Sequence, residues 1–201
     1  MDLQVSQRDD PAAAGGLEQT GLAGVGMRFY GGKRVGLFAG LDARFGAGAQ
    51  GGFAYDAAFL PVGGGVQLGP TLLFGVASGV AVSGVTDHVG FAVELPVEAR
   101  LLLSLGHHVQ LTTWGRVGWI AGEDARQSGS ENAPLGDELR AGATIRFGRG
   151  DTRRRTERWG NGIYVGVTYG ERLMTREVGL VIGYGITDGF YPQRRREPRG
   201  L

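Results

Sequence analysis

Residues 91–105 read FAVELPVEARLLLSL, and they constrain the fold more than any other stretch of the chain. Phe91, Val93, Leu95, Val97, Ala99, Leu101, Leu103 and Leu105 are all apolar, while Ala92, Glu94, Pro96, Glu98, Arg100, Leu102 and Ser104 sit between them. A period of two is the signature of a strand with two unlike faces. A helix would scatter the two glutamates and the arginine among the leucines. The question for the whole chain is which way the apolar face points.

The same alternation recurs along the sequence. A short first strand is expected over residues 2–8, ended by Arg8-Asp9-Asp10-Pro11. Next comes 19–30, with Ala23, Val25, Met27 and Phe29 on one face and Gly24, Gly26 and Arg28 on the other. After Gly31-Gly32, the row Val35, Leu37, Ala39, Leu41, Ala43 and Phe45 opposes Gly36, Phe38, Gly40, Asp42 and Arg44. Phe53, Tyr55, Ala57 and Phe59 follow, opposed by Ala54, Asp56 and Ala58. Pro61 shifts the register, and from Val66 to Val82 the even positions are apolar, with a bend at Pro70. A turn at Asp87-His88 leads into 91–105. Beyond Gly106-His107-His108 come rows at 109–119, 139–147, 163–169 and 178–186. The reading gives nine clear strands and a tenth at the N-terminus. An antiparallel barrel with both termini at one end needs an even number, so ten fits, or eight if one segment is misread.

Two kinds of barrel share this pattern. A soluble one puts the apolar row inside, and a membrane one turns it out around a polar interior. The apolar rows are almost free of charge over roughly the 9–11 residues a tilted strand needs to cross a bilayer. The opposite face is small rather than coated with solvated side chains: the chain has 39 glycines among 201 residues, and Lys33 is its single lysine. The charges on that face also balance. Arg28, Arg44, Arg100, Arg116, Arg140 and Arg146 stand against Asp42, Asp56, Glu94, Glu98, Glu138 and Glu177. Six of each sign suit a narrow lumen, where a charge without a partner is costly. Counting outward from the Gly106-His107-His108 turn, partners sum to about 214, which sets Glu98 opposite Arg116 and Arg100 opposite Trp114. Phe29, Tyr30, Phe45, Trp119, Phe147, Tyr164 and Tyr184 fall near strand ends, where aromatic girdles sit.

On these features the chain resembles the small outer-membrane β-barrel proteins of Gram-negative bacteria, over about residues 19–190. The closing hairpin GIYVGVTYGERLMTREVGLVIGYGI is the part most like theirs. The resemblance implies an all-β, up-and-down transmembrane barrel of 8–10 strands in a bacterial outer membrane. It implies a bilayer partner, with lipopolysaccharide as a candidate contact. The barrel domain is expected over 1–190, with 1–16 as an N-terminal segment and 191–201 as a basic tail. The first sixteen residues lack the apolar core of a signal peptide, so the strand pattern favours a mature chain with Met1 added.

Other signals are weaker. Ala57 to Thr86 holds no charge, but its glycines and prolines would break a transmembrane helix. GAGAQG at 46–51 has the letters of a dinucleotide fingerprint but precedes an alternating strand, not a helix. His88, His107 and His108 lie in turns with no second cluster to complete a metal site, cysteine is absent, and no cofactor is implied. Ser104 and His107 flank one turn without an orienting acid, so a lipid-modifying enzyme is a distant alternative to a non-enzymatic barrel. Net charge is +1, which gives no reason to expect nucleic-acid binding. Arg153, Arg154 and Arg155 are candidate contacts for lipid phosphates, and 122–134 is a polar, mostly acidic loop. The functional expectation is a monomeric outer-membrane barrel with a charged, largely plugged lumen and a structural or interaction role through its loops. The alternatives are a narrow pore and a soluble ligand-binding barrel with an apolar cavity.

Overall fold

The computed structural model describes residues 2–9, 17–32, 34–48, 53–69, 71–85, 89–105, 108–121, 138–148, 162–172 and 175–185. They form ten strands: β1 (Asp2–Asp9), β2 (Leu17–Gly32), β3 (Val35–Gly48), β4 (Phe53–Leu68), β5 (Leu72–Val85), β6 (Val89–Leu105), β7 (Val109–Ile120), β8 (Glu138–Gly148), β9 (Gly162–Arg172) and β10 (Thr175–Gly185). Each pairs antiparallel with its sequence neighbour, and β1 pairs with β10, so the sheet closes into a barrel. Closure removes every free edge along the paired length, which a sheet in hydrocarbon requires.

The N-terminal strand completes the even count. It runs to Asp9, one residue past the expected 2–8, because Arg8 and Asp9 pair with both Glu18-Leu17 and Glu177-Arg176. The stretch from Val66 to Val82 is not one bent strand. Gly69 adopts φ 68° in a hairpin turn, so Val66–Leu68 close β4 and Leu72 opens β5. That left-handed conformation is one only glycine enters freely. Pro61 does sit in a register shift, between Phe59 and Val62. The uncharged stretch from Ala57 lies in β4 and β5, and no helix among the described residues is long and apolar enough to cross a membrane.

The pleat sorts the side chains. Val35, Leu37, Leu41 and Phe45 of β3 are exposed on the outer wall, as are Leu95, Val97, Leu101 and Leu105 of β6. Asp42, Asp56, Glu94, Glu98, Arg116 and Glu138 are buried inside. Phe45, Phe53 and Tyr55 stack outside with ring centroids 6.2 Å apart. Two of the aromatics expected in the girdle do not join that outer wall. Tyr30 turns inward onto the buried cluster of Phe38, Leu60, Leu73 and Ala77, and Tyr164 shares the inward row of Arg146 because the pleat places Ile163 and Val165 outside.

Even-numbered connections (β2–β3, β4–β5, β6–β7, β8–β9) leave from the end where β1 starts and β10 finishes, here the lower end. The loop around 122–134 leaves from the upper end, and the connection carrying Arg153–Arg155 from the lower. Those three arginines, His88, His107 and the 191–201 tail lie outside the described residues.

Candidate functional site: a braced lumen

The inward residues of β6 to β10 fall into rows across the strands. Just above Gly148, Gly162 and Gly185 at the lower end runs the row Ser104, Gln110, Arg146, Tyr164 and Gly183. Above it run Leu102, Thr112, Thr144, Gly166 and Val181, then Arg100, Trp114, Gly142, Thr168 and Gly179. The next row is Glu98, Arg116, Arg140, Gly170 and Glu177. Glu98 stands opposite Arg116 and Arg100 opposite Trp114, because β6–β7 keeps its pairing without a shift from the turn upward.

Among the described residues, charge crosses the lumen at these three places. Arg28 on β2 donates to both carboxylate oxygens of Glu98 on β6, at 2.9 and 2.8 Å. Arg116 on β7 donates to Asp42 Oδ2 on β3 at 3.1 Å. Arg140 on β8 donates to Asp56 Oδ2 on β4 at 2.6 Å. Each contact joins strands four apart in a ring of ten, so it reaches across the interior rather than along the wall. Short links tie the crossings together. Arg28 also holds both oxygens of Asp42, at 2.9 and 2.6 Å, and Arg116 Nη2 donates to Glu98 Oε2 at 3.0 Å. Arg100 Nε donates to Glu98 Oε1 at 3.1 Å, while its guanidinium lies 6.0 Å from the Trp114 ring centre. Arg44 approaches Asp56 at 3.8 Å, and Arg140 Nε donates to Glu138. Bidentate, charge-assisted bonds of this kind fix geometry as well as supplying energy.

The remaining residues of the expected network lie off this core. Glu94 is buried on β6 and accepts from Ser83 Oγ at 3.1 Å. Glu177 closes the upper part of β10 opposite Gly170. Arg146 stands lower, between Gln110 and Tyr164, away from the crossings.

The sequence reading missed an apolar part of the lumen. Phe38, Leu60, Leu73 and Ala77 form a buried cluster inside the β2–β6 arc, with Tyr30 and Leu102 packed on it. Phe38 fits because β5 has glycine beside it: a Cβ on Gly75 would lie 2.6 Å from Phe38 Cγ. Trp114 occupies the space over Gly142 in the same way, where a Cβ would come 2.6 Å from its Nε1. Read alone, a large residue on an inward face surrounded by glycine is the signal for such packing.

Outside, the apolar belt has a measurable height. Trp119 near the upper end and Val109 near the lower are ten residues apart on β7. At roughly 3.4 Å per residue and a tilt of about 40°, that is about 26 Å along the barrel axis, close to the apolar band of membrane barrels. The chain is a transmembrane-type β-barrel. No metal-ligating cluster occurs among the described residues, and His108 Nδ1 lies 3.2 Å from the carbonyl of Gly148.

No protein-family model and no curated protein matches the chain. Among solved structures, a KdgM porin in complex with disordered oligogalacturonate is similar at 8% identity and a TM-score of 0.34, with 93% of this chain and 100% of that one covered. A second similar structure, described under the in-meso crystallization of membrane proteins, has 9% identity and a TM-score of 0.32, covering 93% of this chain and 83% of the other.

Proposed function

We propose that the protein is a monomeric, non-enzymatic barrel of a bacterial outer membrane whose lumen is braced shut, and that it acts through the connections at its ends. The observation that carries this reading is the set of three crossings, Arg28–Glu98, Arg116–Asp42 and Arg140–Asp56. A route for bulky solutes would have to break them, and each carries charge that burial makes costly to separate. The connection from Ala121 to Asp137 is the longest at the upper end and serves as the contact surface. Arg153–Arg155 leave from the opposite end, so they meet lipid phosphates of the other leaflet. Lipopolysaccharide touches whichever end faces outward.

Planar-bilayer recording tests the bracing. Wild-type protein is expected to give little steady conductance, and Glu98→Gln a higher one. Large, stable wild-type channels would overturn the closed lumen. A second reading, a narrow pore, is favoured by the wall from β8 to β10, where Thr144, Gly166, Thr168 and Gly179 present small side chains to the interior. Small ion-sized steps in the wild type, unaltered by the Glu98 change, would favour that reading.

A further inference from the structure

Two prolines interrupt the wall, one on each side of β5. The described pairings of β1 with β10 and β2, of β2 with β3, and from β6 through β10 run without a break. Around β5 they do not. On one side Phe59 pairs with Val80 and Val62 with Ser78, which leaves Leu60 and Pro61 bulged against Gly79. On the other, pairing passes from Ser78–Val97 to Ala81–Glu94 and skips Leu95 and Pro96. Both proline nitrogens face β5. Pro61 Cδ, the ring carbon bonded to its nitrogen, lies 2.8 Å from where a Cβ on Gly79 would sit. Pro96 turns its carbonyl to β5, where the Ser78 hydroxyl donates to it at 2.9 Å. A residue in an antiparallel ladder presents its nitrogen and its carbonyl to the same neighbour. Neither nitrogen carries a hydrogen, so β5 meets no ladder donor at position 61 or 96.

Both sides of this seam are apolar. Behind it, Leu60, Ala77 and Phe38 belong to the buried cluster, and Ala58 and Ala81, paired with each other just above, are buried too. In front of it, Phe59, Val62, Val80 and Leu95 are exposed on the outer wall. Glu94 and Glu98 border the seam on β6, but Ser83 donates to the first and Arg28, Arg100 and Arg116 to the second. A hydrocarbon chain crossing here meets apolar groups and acids that are already hydrogen-bonded. A sheet in lipid relies on its ladder to satisfy the backbone, so the wall parts most readily where ladder donors are missing.

We propose that the seam at Gly79 is a lateral port through which one acyl chain of a bilayer lipid reaches the Phe38–Leu60 cluster. The bulge at Leu60 is the moving part, since its side chain holds the place the acyl chain takes. The proposal rests on the membrane-barrel reading, because the outer wall must face lipid.

The test is photolabelling of the full chain, folded into phosphatidylcholine vesicles whose lipid carries a diazirine near the end of one acyl chain. Mass spectrometry then locates the labelled residues. Label is expected on Leu60 and Ala77 as well as on outward residues. Leu22 and Val181 are also apolar and buried inside, but behind continuous ladders, and should stay unlabelled. Pro96→Val restores the missing N–H and should cut the label on Leu60 and Ala77 about fivefold, the effect of one net backbone hydrogen bond on the opening equilibrium. Pro61→Val should act in the same direction, and it decides the matter if Pro96→Val does not fold. No label inside, equal label on Leu22 and Val181, or label that neither valine reduces would overturn the port. So would label on Leu60 from a water-soluble diazirine alone, which would mean the cluster opens to the lumen instead. Heat-modifiable gel migration on each sample separates the two levels: a folded barrel with an unlabelled interior sinks the port alone, and a chain that folds without detergent or lipid sinks the membrane reading.

Discussion

Glu98 accepts hydrogen bonds from Arg28, Arg100 and Arg116 and has no exposed surface. Glu98→Gln would leave three guanidiniums facing a neutral amide. Breaking a buried pair from one side costs about 3–5 kcal/mol, so unfolding in detergent should shift by that amount. Adding Arg116→Gln should recover only part of the loss, because Arg28 and Arg100 still face position 98. A double-mutant cycle checks this, and strictly additive losses would reject the coupling. The Glu98–Arg116 register could be counted from the sequence, since one short turn fixes a hairpin. The bond from Arg28 to Glu98 could not: it joins residues 70 apart in the sequence, and no turn rule reaches across a lumen.

At the scale of the element, β6 has two faces that should answer differently to the same charge. Leu101 is 37% exposed on the outer wall. Leu101→Arg should cost roughly 2–4 kcal/mol if it lies near the bilayer midplane, read as loss of insertion into lipid vesicles. Leu102 points inward, but it packs on the Phe38 cluster. Leu102→Arg should therefore weaken the fold itself, lowering the melting temperature in detergent, rather than only altering a polar lumen. Gly75 on β5 offers a third check. Gly75→Val should destabilise by about 1–3 kcal/mol through collision with Phe38, and Phe38→Leu in the same chain should relieve it. A denaturation series that showed no relief would count against this packing. Strand faces were legible because alternation encodes them directly. The hairpin at Gly69 was hidden because apolar residues keep the same parity on both sides of it. Tyr30 and Tyr164 were misplaced because nearness to a strand end says nothing about which face a ring takes.

For the whole molecule, an apolar exterior around a charged interior leaves water as a poor solvent. The chain should refold only into detergent or lipid and should migrate differently on gels before and after boiling. A monodisperse folded monomer without detergent would refute the barrel's orientation. The architecture was legible because so many strands repeat one pattern, and an even count was met by the short N-terminal strand, with eight left open. The lumen's occupancy was not, because it depends on which distant strands face each other once the ring has closed. That closure lies between Asp2–Asp9 and Arg176–Gly183, the two extremes of the described sequence. A nascent chain therefore carries two open edges until its last strand is made. A chain without β10 keeps unpaired edges on β1 and β9 and cannot close this ring.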